Sequence, residues 1–227
     1  MDFTEAEKAI GYEFHDKKLL RRAFTHSSYI NEHHLPYNEC NERLEFLGDA
    51  VLETSSSEFL FSKYPDKTEG ELTRIRASLV CESSLADISQ KLGLGDFILL
   101  GKGEEQSGGR YREAALEDVL EAVIGAVYLD GGFTIAKEFV IKHVMCDIEN
   151  RHLFYDSKTI LQEIVQASDI GQLSYELIKA EGPDHARIFT SRVLIGDVVF
   201  GEGEGKSKKL SEQQAAYKAI LKINNQE

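Results

Sequence analysis

Residues 41–50 read NERLEFLGDA, and their spacing decides how the whole chain is read. Glu42, Glu45 and Asp49 stand at i, i+3 and i+7. At 3.6 residues per turn they fall within about 60° of one another, one acidic stripe along a helix. Leu44, Leu47 and Val51 repeat at the same period on another face, which gives the helix a core side. Glu45 and Asp49 are like charges at i,i+4, a spacing that costs a helix roughly 0.2–0.5 kcal/mol. A hard divalent cation removes that cost, because Mg²⁺ takes carboxylate oxygens as ligands. A solvated acidic face on an ordinary amphipathic helix fits the same three residues.

Residues 116–130, LEDVLEAVIGAVYLD, shift the balance. Asp118 and Glu121 are i, i+3 on one face, among Leu120, Val123, Ile124, Val127 and Tyr128. A helix apolar on nearly every side belongs at the centre of a domain. Unpaired carboxylates there cost several kcal/mol or shift their pKa. No lysine or arginine lies between Ala114 and Ala136 to pair with them. Two acid pairs on two apolar helices, without local counterions, point to a divalent-metal site.

Composition bounds the rest. The chain has 227 residues, 42% of them hydrophobic, enough for one or two domains with real cores. No uninterrupted apolar run approaches the roughly 18 residues that span a membrane. The opening MDFTEAEKAIGYEF is acidic and amphipathic, unlike a signal peptide. Cys40, Cys81 and Cys146 are odd in number and lack CxxC spacing, which argues against a disulfide framework or a zinc site and fits a reducing cytoplasm. The net charge of −13 by itself argues against nucleic acid. Its distribution says otherwise: residues 157–227 carry nine Lys/Arg against ten Asp/Glu, so nearly all the excess acid lies in the N-terminal part.

On these stretches the chain resembles the ribonuclease III family. NERLEFLGDA is similar to the family signature, and LEDVLEAVIGAVYLD to its second catalytic helix. Tyr64–Val80, YPDKTEGELTRIRASLV, resembles the segment between them, with Glu69 at the place of a further family acid. The resemblance implies a multidomain chain: an all-α endonuclease domain over residues 1–150, a linker at 151–157, and a small α+β double-stranded-RNA-binding domain at 158–227. It implies Glu45, Asp49, Asp118 and Glu121 as metal ligands, with Glu42 and Glu69 in support, and Asp49 and Glu121 as the residues whose loss stops catalysis. Mg²⁺ is the implied cofactor, with Mn²⁺ as a substitute. The implied reaction is hydrolysis of both strands of double-stranded RNA to 5′-phosphate and 3′-hydroxyl ends with short 3′ overhangs, in the processing of rRNA, mRNA and tRNA precursors. The family is cytoplasmic and homodimeric, without a membrane partner. Phe46, about 60° from Asp49 by helical angle, resembles the family's aromatic knob for a socket on the partner; an ordinary core Phe is the alternative.

Taken in order, Phe3–Ile10 opens a short helix, and His15–Ile30 reads as a second, N-capped by Asp16. The signature helix is expected from Glu42 to about Lys63. The polar run Thr54–Ser57 replaces residues that are usually aliphatic at its first three positions in the family. Thr54 and Ser55 are expected on the core side, bonded to carbonyls four residues back, with a less stable helix as the result. Thr68 and Glu71 resemble a capping box. Gly101–Tyr111 reads as a mobile loop. Glu117 stands where the family has a small residue and is expected to point about 100° away from Asp118. Gly131-Gly132 ends the acidic helix, and Thr134–Glu149 follows as the last of the domain.

Beyond Asn150–Ser157, a polar connector, the pattern is helix, three strands, helix, with Gly196-Asp197 as a tight turn. That order resembles the double-stranded-RNA-binding domain. Lys206, Lys208 and Lys209 crowd a helix N-terminus, where a phosphate would be favoured and bare cations are not. Pro183, Asp184 and His185 lie in the loop expected to enter the RNA minor groove, and Gln162 and Glu163 on the first helix can reach 2′-hydroxyls. A non-catalytic double-stranded-RNA-binding regulator on the same fold, and a simple acidic metal-binding protein, are the readings from other classes.

Overall fold

The computed structural model describes residues 3–183 and 187–224, and the chain divides into two units, Met1–Cys146 and Asp147–Glu227. The first unit is helical. It begins with α1 (Thr4–Ile10), α2 (Lys17–Ala23) and α3 (Ser27–Glu32). Asp16 caps α2 as expected, accepting from the Lys18 N–H. The single helix expected over 15–30 is broken, however. Phe24–His26 leave the helical path to pair with Leu99: the Leu99 N–H donates to the Phe24 carbonyl at 2.7 Å, and the His26 N–H to the Leu99 carbonyl at 3.1 Å. The Asn41 N–H donates to the Thr25 carbonyl at 2.8 Å. This small junction sets the start of α4 (Glu42–Lys63), whose bounds match the expectation.

After α4 come α5 (Glu69–Leu79), entered through a complete Thr68/Glu71 capping box, and α6 (Glu82–Lys91). Residues 101–111 are ordered by ion pairs where a mobile loop was expected. A short helix, α7 (Lys102–Gln106), and a 3₁₀ turn at Gly109–Tyr111 pack together. The Arg110 guanidinium pairs with Glu105 and donates to the carbonyls of Gly95 and Ile98 at 2.7 and 2.9 Å. Arg112 holds Glu104 at 2.6 Å.

Helix α8 (Glu113–His143) is the centre of the unit, with Val119, Leu120 and Ala122–Val127 buried. It is long and apolar enough to cross a membrane by length and composition, which the sequence reading did not anticipate, but here its apolar surface forms the core. Gly132 interrupts it at φ 82°, ψ 175°, where the expected end fell. The segment beyond stops at His143 rather than continuing to Glu149. Just before the kink, Asp130 accepts from the Tyr12 hydroxyl and from the backbone N–H groups of His15 and Asp16, each at 2.8 Å.

Helices α4 and α8 meet backbone to backbone. A Cβ on Gly48 would stand 1.8 Å from the Glu121 carbonyl oxygen, and one on Gly125 would stand 2.2 Å from that of Leu44. Further along α4 the polar run differs from its expected pattern. Ser55 and Ser56 are the buried pair and Thr54 is exposed. Thr54 and Ser57 bond to the carbonyls of Ala50 and Glu53, whereas the Ser55 and Ser56 hydroxyls have no hydrogen-bond partner. A buried unpaired hydroxyl costs about 1–3 kcal/mol. The Ser55→Ala/Ser56→Ala double variant should therefore raise the melting temperature of the unit, by about 2–4 °C for each kcal/mol relieved. A fall on differential scanning calorimetry would contradict this.

The second unit starts earlier than the expected boundary. Residues 151–157, expected as a linker, are almost wholly helical: α9 (Ile148–Tyr155) follows Asp147, which takes φ 50°. Phe154 packs edge-on against Tyr217, with centroids 5.5 Å apart. This apolar anchor is why the segment folds with the second unit. Helix α10 (Ser157–Ser168) precedes an antiparallel sheet in the order β1 (Leu173–Glu181), β2 (Ile188–Ile195), β3 (Val198–Gly205), and α11 (Lys208–Asn224) closes the unit. The α-β-β-β-α order is as expected. Leu161, Val165, Val193, Ile195, Ala216 and Ile220 form its core. Helix α11 lies directly on β3: a Cβ on Gly201 would stand 2.3 Å from the Ala215 carbonyl oxygen, and one on Gly203 would stand 2.4 Å from that of Ser211.

Candidate active site and RNA-binding surface

The glycine crossing carries the acids. Glu45 and Asp49 flank Gly48 on α4, and the Glu121 backbone faces that glycine from α8. Asp118 lies one turn before Glu121 on the same helix. Glu121 is 9% exposed, Glu45 and Asp118 are half-buried, and Asp49 opens to solvent.

Burial is the main force on these groups and their mutual repulsion adds to it. The Glu121 carboxyl is pushed up to about 8 by burial, then by Asp49, Glu117, Glu45 and Asp118. Glu45 is raised to about 7 by burial, then by Asp118, Glu42 and Asp49. Burial raises Asp118, and His26 nearby opposes the shift. Thus the two acid pairs, some seventy residues apart along the chain, share one electrostatic pocket. Among the described residues no lysine or arginine forms an ion pair with any of the four.

Glu42 belongs to this group, acting on Glu45 and Asp118, and it accepts a hydrogen bond from the Tyr37 hydroxyl. Glu69 is not brought there within one chain. It is exposed in the first turn of α5, accepts from the Thr73 hydroxyl at 3.1 Å, and lines a groove between α4 and α5. Two further acids, Glu117 and Glu82, lie in the field of this group. Glu117 is raised to about 7 by burial, then by Glu82, Asp118, Glu45 and Asp49. After burial, its strongest influence comes from Glu82 of α6, a neighbour that helical spacing within one segment cannot reveal, ahead of Asp118 on its own helix.

The donor set fits a hard cation: carboxylate oxygens only, partly desolvated and without a basic partner. Among the described residues, no three His, Cys, Asp or Glu side chains converge as a ready-made metal cage. Repelling carboxylates have no reason to converge without positive charge between them.

Phe46 is 79% exposed, so it is not a core Phe; Phe61, further along α4, is 74% exposed. In the second unit Gln162 and Glu163 are exposed on α10, and Pro183 is exposed beyond β1. Asp184 and His185 lie outside the described residues. Lys206, Lys208 and Lys209 are exposed where α11 begins, and the Ser207 hydroxyl caps that helix by accepting from the Leu210 N–H at 3.2 Å.

A helical unit with a buried carboxylate cluster, joined to an α-β-β-β-α unit with lysines at a helix start, defines a ribonuclease directed at duplex RNA. Comparison with known proteins agrees. The family profile described as ribonuclease-III-like matches residues 16–148, and the double-stranded RNA binding motif matches residues 157–223. Ribonuclease 3 of Bacillus cereus strain G9842 is 50% identical over 227 residues, covering 99% of this chain and 92% of that protein. Ribonuclease 3 of Bacillus anthracis strain CDC 684 / NRRL 3495 is also 50% identical over 227 residues. The solved nuclease domain of ribonuclease III from Campylobacter jejuni superposes with a TM-score of 0.59 at 44% identity, covering 63% of this chain and 96% of that one. The chain belongs to the ribonuclease III family.

Proposed function

We propose that the chain is a divalent-metal-dependent endoribonuclease that cuts both strands of double-stranded RNA, leaving 5′-phosphate and 3′-hydroxyl ends with short 3′ overhangs. The observation that carries this reading is the set of four carboxylates, the buried or half-buried Glu45, Asp118 and Glu121 and the exposed Asp49, without a basic partner among the described residues. When bound, Mg²⁺ supplies Lewis-acid activation of water and charge neutralisation at the scissile phosphate, and Mn²⁺ can take its place. Glu45, Asp118 and Glu121, all raised by burial, would hold the cation as carboxylates, and their fixed helices set where positive charge is held. Asp49, the most open of the four, presents its carboxylate at the mouth, where the phosphodiester arrives. Glu42 orients the α4 side of the cluster through its bond to Tyr37. Glu69 has no part in this arrangement within one copy of the chain.

The second unit delivers the duplex. Lys206, Lys208 and Lys209 meet phosphates at the start of α11, while Gln162 and Glu163 and the loop holding Pro183, Asp184 and His185 read the minor groove by shape. Precursor RNAs with long stems are the substrate class, and the cytoplasm, where Cys40, Cys81 and Cys146 stay free thiols, is the compartment. Long duplex RNA incubated with the protein should yield discrete duplex fragments with Mg²⁺ and only a gel shift without it. Shifted but intact RNA in saturating Mg²⁺ would replace this reading with that of a non-catalytic regulator.

Cutting both strands calls for two sites, and a two-fold dimer supplies them. The solved Campylobacter jejuni nuclease domain is described as having a region involved in dimer formation. Phe46 and Phe61, both largely exposed on α4, suit a self-complementary face. Phe46→Ala should shift sedimentation toward monomer at low concentration; an unchanged profile would remove Phe46 from the interface.

A further inference from the structure

The second unit carries an ion-pair junction beside its exposed lysines. Ser157 and Lys158 open α10. Ser157 is fully buried, and its hydroxyl donates to the Gln213 carbonyl at 2.8 Å, which ties the start of α10 to the first turns of α11. Lys158 is thereby set against α11 and β1. Its ammonium lies 2.5 Å from one Glu212 carboxylate oxygen and 4.6 Å from the centre of the Tyr175 ring. Glu212 is shared: its other oxygen lies 3.8 Å from the Lys208 ammonium, one turn earlier on α11. The Glu212 side chain is 13% exposed and that of Lys208 63%, so a largely buried carboxylate stands between a half-buried cation and an open one. A carboxylate so far withdrawn from water needs a partner. Lys208 is the poorer one. A Lys four residues N-terminal to a Glu is the weaker order of that helical pair, and the longer distance agrees.

We propose that Lys158 is a positioning residue for duplex RNA: by engaging Glu212 from α10 it keeps that carboxylate off Lys208 and leaves the Lys208 ammonium to meet a phosphate. Lys158 itself touches no RNA in this arrangement, because its charge is spent on Glu212 and the Tyr175 ring. Without Lys158, Glu212 closes on Lys208, the other cation within ion-pair reach. An arriving phosphate must then displace an acid that is already in place. The inference rests on the reading of Lys208 as a phosphate contact.

Binding of the full chain to duplex RNA in Ca²⁺, over a range of salt concentrations, is the readout, with thermal melting as the control for folding. Lys158→Met keeps an apolar stem over Tyr175 and removes the charge. It should bind several-fold more weakly, with the slope of log affinity against log salt shallower by about 1, the loss of one phosphate contact. Lys208→Met should match it. Glu212→Gln alone should stay near wild type, because Lys208 is already available there. The double variant Lys158→Met/Glu212→Gln should recover both affinity and slope, since no acid remains to hold Lys208. Wild-type binding in Lys158→Met would overturn the proposal. A double variant as weak as Lys158→Met would do so too, leaving Lys158 either a phosphate contact itself or, if the losses track the melting temperature, a packing residue. Tightening by Glu212→Gln alone, equal to the weakening by Lys158→Met, would reduce the effect to net charge and also overturn it. Wild-type affinity and slope in Lys208→Met would remove Lys208 from the phosphate contacts, and the proposal would fall with that reading.

Discussion

Glu121→Gln should abolish duplex cleavage while leaving RNA binding intact. The substitution keeps size and removes the charge that makes this side chain a ligand. Several kcal/mol of transition-state stabilisation then disappears, about 10³-fold in rate. Single-turnover cleavage in saturating Mg²⁺ is the measurement, with gel shifts in Ca²⁺ as the control; retained turnover would reject Glu121 as a ligand. Asp49→Asn should behave likewise from the other helix. The same variant carries a second signature. Glu121 has an ordinary value of 4.5 and is held at about 8 in the fold. Below the ordinary value both folded and unfolded chains are protonated and burial is harmless. As the pH rises toward 8, the unfolded chain ionises freely while the folded protein resists, so stability is lost across that window. Metal-free wild type should melt lower at pH 8 than at pH 5, Glu121→Gln should flatten that slope, and Mg²⁺ should restore the wild type at pH 8.

Gly48→Ala should damage the nuclease unit more than any surface change. The added methyl would stand 1.8 Å from the Glu121 carbonyl oxygen and 3.0 Å from the Gly125 nitrogen. Both are backbone atoms of a helix and cannot swing aside. Helices α4 and α8 must separate, which opens the core and moves Glu45 and Asp49 away from Asp118 and Glu121. A cost of about 4 kcal/mol or more is expected, a fall of about 10 °C or more in Tm. Calorimetry should show the transition of the first unit falling while that of the second, whose core is its own, stays in place. A melting profile like wild type would mean that the helices do not cross at this glycine.

Much of this was legible before the structure. The period of apolar residues gave α4 its limits, and alternation gave β2 and its neighbours theirs. The acid pairs were legible because charge on an apolar helix violates the usual pattern. What escaped has a common cause. The break between α2 and α3 is enforced by Leu99, distant in sequence. Glu117 joins the cluster through Glu82 on α6. Ser56 is buried because the core wraps further around α4 than three apolar residues suggest. Each depends on a neighbour contributed by another element, and periodicity within one segment carries no record of it. Residues 151–157 looked polar enough for a linker, yet Phe154 gave that segment something to bury.

The clasp at Asp130 has a consequence for the newborn chain. Tyr12 and Asp130 are separated by 118 residues, so at roughly 5–20 residues per second the ribosome takes about 6–24 s to deliver the second after the first. Throughout that delay the segment between α1 and α2 has no latch, and α4 waits with its greasy side bare for the helix that covers it. The nuclease unit thus assembles late and nearly all at once, so a stall upstream of residue 130 would leave chaperones holding a long unfinished intermediate.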